Sequence, residues 1–249
     1  MLHELKGLNM AKRVNCTECL KNKLYKFYKK AMAFTLAETL IVMGVIGVVA
    51  ALTLPNLNQS TGNKEKVAKV KKIYQNLSDA FGRAQAIYGP YDEWCKNVND
   101  SDCFKKKGER ITEFMKLSKN FGICASNDCN PTDVKELRGN DTWEAPCGND
   151  AYCVVLADGT LVGIKGNIEV DIDGLYKGAN TFGIDVFAFD LNRDTGELVP
   201  NSRGIARCFS KGECTEWVIM NGNMDYLKAD SSGKCPNNTQ LSETVTSCN

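Results

Sequence analysis

Ala33-Phe34-Thr35-Leu36-Ala37-Glu38-Thr39-Leu40-Ile41 opens an apolar run over residues 34–54, 21 residues in all. A helix of that length rises about 31 Å, the thickness of a bilayer's hydrocarbon core. The run holds a single charge, Glu38. A carboxylate in an apolar layer costs at least about 2.5–3.5 kcal/mol, so it requires a partner. The run has no basic residue, but cleavage before Phe34 would create a free amine at its start. Residues 1–33 carry eight Lys and Arg against two Glu. Lys26, Lys29 and Lys30 stand just before the run, and positive residues at one end of a span hold that end in the cytoplasm. The chain after Leu54 is thereby expected on the far side. A small-residue site at Ala51 would suit an ordinary signal peptide, yet such peptides have apolar regions of only about 7–15 residues.

The cysteines agree with that direction. Of twelve, Cys16 and Cys19 precede the run, and Cys95, Cys103, Cys124, Cys129, Cys147, Cys153, Cys208, Cys214, Cys235 and Cys248 follow it. An even set beyond a membrane-directed segment predicts disulfides in an oxidising compartment. Many connectivities are open; pairing each cysteine with its sequence neighbour staples irregular segments locally. No C-x-x-C knuckle follows residue 19, which argues against zinc. The only histidine is His3, so the chain beyond the run cannot use Ser-His-Asp or Cys-His catalysis.

The segment 33–41 resembles the cleavage and methylation signature of type IV prepilins and type II secretion pseudopilins. That signature is a small residue, then Phe-Thr-Leu, then a Glu fifth in the mature chain. Here these are Ala33, Phe34, Thr35, Leu36 and Glu38, with Ala33 standing where the family has Gly. Pro55 stands where these proteins loosen the helix at the end of the membrane segment. Gly44 and Gly47 suit a helix that bundles closely and bends. The resemblance implies a prepilin peptidase that cuts between Ala33 and Phe34 and methylates the new amine. It implies inner-membrane residence as a single-pass protein, with an assembly platform and other pilin-like subunits as partners. In the filament, Glu38 would neutralise the Phe34 amine of a neighbouring subunit.

Beyond Pro55 and a polar stretch at 58–63, Val67, Val70, Tyr74, Leu77, Phe81, Ala84 and Tyr88 recur at spacings of three and four. That stripe predicts one apolar helix face, ended by Gly89-Pro90. Lys64, Lys66, Lys69, Lys71 and Lys72 read as a solvated or inter-subunit face, and nucleic acid is not an expected partner. Residues 91–150 read as irregular, with a short helix at 111–118. Residues 152–157 and 160–164 flank Asp158-Gly159 and predict a hairpin. Further strands are expected at 168–172, 186–191, 197–199 and 214–220. The fold class is α+β: a long N-terminal helix, its first half transmembrane, on an antiparallel sheet in a disulfide-stapled head. The expected domains are a leader at 1–33, a span at 34–54, its amphipathic continuation at 55–88 and an extracytoplasmic head at 89–249.

Carboxylates gather between Glu169 and Glu197. Asp190-x-Asn192-x-Asp194 alternates oxygen ligands as a calcium loop does, although Gly196 comes one place late and Asn201 stands where that loop has Glu. Asp171-x-Asp173-Gly174 is a second calcium candidate; turn residues between strands are the competing reading. No cofactor is expected to be required, and calcium is the candidate cation at these residues. Paired carboxylates also serve glycosidases, but no recognisable motif surrounds these, and no catalytic residue is assigned. The expectation is a pilin-like or pseudopilin subunit without enzymatic activity. The alternative is a singly anchored extracytoplasmic binding protein or enzyme that does not polymerise.

Overall fold

The computed structural model describes residues 36–248 apart from 96–99, 125–128, 130–132, 145, 149, 175–176 and 193–194; the side chains of 52–60 also lie outside the description. The chain divides into two units, one ending at Leu57 and the other beginning at Asn58.

Helix α1 is assigned over Leu36–Tyr88. In the first unit its described large apolar side chains face outward, from 53% exposed at Val42 to 79% at Leu36. Among the described residues no helix is long and apolar enough to cross a membrane. The described side chains of the apolar run extend only over residues 36–51.

In the second unit, α1 lays Val67, Val70, Ile73, Leu77, Ala80, Phe81 and Ala84 into the core. Tyr74 is half-buried and stacks on Phe189 at 5.7 Å between ring centroids. Tyr88 lies at the exposed edge. The stripe therefore packs as its periodicity predicts, with Ile73 and Ala80 widening it to the arc a core-facing helix needs. Gly89 closes the helix at φ +81°, and the Trp94 indole Nε1 donates to its carbonyl at 2.8 Å.

The partner layer is a six-stranded antiparallel sheet: β1 (Leu117–Ile123), β4 (Tyr152–Leu156), β5 (Leu161–Ile164), β6 (Ile168–Asp171), β7 (Val186–Leu191) and β8 (Leu198–Pro200), in that spatial order. Strands β2 (Val134–Lys135) and β3 (Thr142–Trp143) form a separate pair. The β4–β5 connection is the expected hairpin, with Gly159 at φ +91° where a side chain would be strained. Side chains alternate across the sheet. Val154, Val162, Val170, Phe187 and Phe189 share the core with α1, while Cys153 and Leu161 pack with Cys124, Cys129, Cys147 and Ala151 on the other face.

Two expectations are corrected. Residues 111–118 do not form a helix of their own: Ile111 and Thr112 end α2 (Ser101–Thr112), and β1 starts at Leu117. Asp100 caps α2 by accepting the Asp102 amide, and Cys103, Phe104, Lys107, Gly108 and Ile111 form its buried face. Residues 214–220 are not a strand. Helix α4 (Thr215–Asn221) follows α3 (Ile205–Lys211), and each ends on a left-handed glycine, Gly212 or Gly222. Glu216 and Met220, four apart, share the outward face of α4, with Met220 75% exposed; Trp217 and Val218 are buried.

Candidate functional site

Ala33 and Phe34 lie outside the described residues. Glu38 sits in the first turn of α1, where unsatisfied amides and the helix dipole favour a negative charge. Next to it, the Thr39 hydroxyl donates to the Leu36 carbonyl at 2.9 Å. A Cβ at Gly44 or Gly47 would meet nothing within 4 Å. With Ala51, these glycines make one face of small residues at i, i+3 and i+7, along which another helix could approach closely. The α1 assignment runs through Pro55 and the polar stretch at 58–63.

The acidic segment holds the two calcium candidates in different places. Asp171 ends β6 and is 3% exposed; its Oδ1 accepts the amides of Asp173 at 3.2 Å and Gly174 at 3.1 Å. Burial pushes its carboxyl up to about 8, helped by a hydrogen bond with the Asp173 carboxyl and by the charges of Asp173 and Asp185. Asp185, fully buried, accepts the amides of Ala179, Asn180 and Thr181 at 2.6, 2.9 and 2.6 Å, which fixes the loop between β6 and β7. Its carboxyl is also raised, by burial first. The second candidate lies elsewhere. Asp171 pairs with Val186 at the start of β7, whereas Asp190 pairs with Val199 near its end. Asp190 accepts the Asn201 amide at 2.7 Å, Asn192 accepts the Thr195 amide, and Asp194 lies outside the described residues. Among the described residues no three His, Cys, Asp or Glu stand where they could hold a metal ion.

All ten cysteines beyond the apolar run pair with their neighbours: Cys95–Cys103, Cys124–Cys129, Cys147–Cys153, Cys208–Cys214 and Cys235–Cys248. They tie the end of α1 to α2, anchor the segment beneath the sheet, join α3 to α4 and hold the C-terminal segment. Arg138 has no sequence signal, yet its guanidinium donates to the carbonyls of Phe209, Tyr226 and Ala229 and so fastens the C-terminal part to the loop before β3. No family model, curated protein or solved structure matches this chain.

Proposed function

We propose that the chain is a pilin-like subunit of a type IV pilus or a type II secretion pseudopilus, held in the inner membrane by α1 until it assembles. One observation carries the reading: Glu38 is the only charge between Lys30 and Lys64, and it lies on a helix whose large apolar side chains are exposed on every face over residues 36–51. Such a surface needs a non-aqueous environment, either lipid or the equivalent helices of neighbouring subunits. In that environment a carboxylate is favoured beside a cation, and the resemblance to prepilins implies the methylated Phe34 amine of an adjacent subunit as that cation. The role is structural: α1 is the assembly element, and the disulfide-stapled head is what the filament displays.

Intact-mass measurement on protein extracted from membranes tests this. The expected chain has 216 residues, the 249 of the precursor less the 33-residue leader, and begins with N-methylated Phe34. A chain beginning after Ala51, or one with the leader uncut, overturns it.

A further inference from the structure

The segment after Leu241 carries no helix or strand, yet it is tightly held. Asp225 stands in a short 3-10 turn, Asp225–Leu227, with its side chain 13% exposed. One carboxylate oxygen, Oδ1, pairs with the Lys228 ammonium at 2.8 Å. The other, Oδ2, accepts the Ser247 hydroxyl and the Cys248 amide, both at 3.0 Å. Two residues earlier, Asn223 Oδ1 accepts the Trp217 indole and the Asp225 amide, and its Nδ2 donates to the Thr246 carbonyl at 3.0 Å. Asn223 and Asp225 thus bond directly to Thr246, Ser247 and Cys248, and so hold the segment on which Cys248 sits, opposite the buried Cys235.

We infer that Asn223 and Asp225 form a clasp that positions Cys248 for its bond to Cys235, so that closure of the terminal disulfide depends on one half-buried carboxylate. Closing a ring across 13 residues costs chain entropy, and a clasp that holds one end in place raises the effective concentration of the two thiols. The coupling is reciprocal: the clasp favours the disulfide by the factor by which the disulfide favours the clasp. With glutathione disulfide as oxidant, a cysteine thiolate attacks it and releases one glutathione, leaving a mixed disulfide. The second cysteine attacks that bond, closing Cys235–Cys248 and releasing the second glutathione. Two thiols are oxidised, one glutathione disulfide is reduced, and the two protons end on the two glutathiones.

Asp225→Asn tests the charge at constant shape. The two carboxylate oxygens face donors on both sides, so whichever way the amide turns, its N–H₂ meets a donor. In the full chain in detergent, equilibrated with glutathione buffers and mapped by mass spectrometry, the effective concentration of the Cys235/Cys248 pair should fall on the order of tenfold. The Cys208–Cys214 pair should not change. An unchanged Cys235/Cys248 value, or an equal fall at Cys208/Cys214, overturns the clasp. Should Asp225→Asn fail to fold, Ser247→Ala decides: it removes one donor and leaves the ion pair intact. A fall of about threefold, confined to the terminal pair, supports the clasp; no fall overturns it.

Discussion

Asp171 keeps a proton at neutral pH because burial disfavours its charged form, and the Asp173 and Asp185 carboxyls nearby, where β6 turns toward β7, add to this. Lys66 of α1 is the cation facing Asp185. In the unfolded chain Asp171 returns to the ordinary range near 4. Its contribution is therefore fully present below about pH 4 and is lost as pH rises toward 8, because the unfolded state releases its proton first. The carboxyls of Asp158 and Asp225 show the opposite balance. Burial raises each, but Lys72 and the Thr160 donors overcome this at Asp158, and Lys228, Cys248 and Ser247 overcome it at Asp225. Their contribution is fully present above the ordinary carboxylate range and is lost only as pH falls below it. The melting temperature should fall by at least about 5 °C between pH 5 and 9, and Asp171→Asn should flatten that slope. An equally steep slope in the variant would show that another group titrates. Gly163 poses the opposite problem, one of space: a Cβ there would collide with the main chain of Pro146. Gly163→Ala should cost about 1–3 kcal/mol in urea unfolding, since backbone cannot yield as a flexible side chain does. A glycine inside a strand is a legible sign that something approaches closely, but which segment approaches is fixed only by the fold.

At the scale of elements, legibility followed the strength of the local period. The α1 stripe was readable because its apolar residues recur over six helical turns, and the β4–β5 hairpin because Asp158-Gly159 sits between two apolar runs. Helix α4 was misread because seven residues hold barely two turns. The consecutive Trp217, Val218, Ile219 and Met220 fit a strand as well as a helix when their partners are unknown. The left-handed glycines at 212 and 222 were the available signal. Leu77, fully buried near the middle of the α1 stripe, tests how far the layer depends on this one face. Leu77→Ala should destabilise the head by about 2–5 kcal/mol, read by denaturant unfolding. A loss below about 1 kcal/mol would mean that the sheet closes over the cavity or that α1 is not needed to hold it.

Across the whole molecule, the architecture and the cysteine pairing were legible for one reason: both are local in sequence. From β4 to β8 each strand pairs with the next in the chain, and the bonded cysteines lie 5 to 13 residues apart. Long-range ties such as Arg138 to Tyr226 left no trace in composition or spacing. The ten paired cysteines should resist alkylation until reductant is added, while Cys16 and Cys19 of the precursor react freely; free thiols among most of the ten would overturn an oxidising compartment. Under the proposed filament role, the apolar half of α1 sets how one subunit meets the next. In a membrane Glu38 is a cost, so Glu38→Ala should leave insertion unchanged or improve it, as carbonate extraction of membranes would record. In a filament the same carboxylate would register one subunit against the amine of the next, and a helix without it presents an amine with no counter-charge in an apolar core. Incorporation of the variant into sheared filaments should therefore fall severely while its membrane level holds. Equal incorporation of variant and wild type would mean that shape along Gly44, Gly47 and Ala51 aligns the helices and that the charge pair does not.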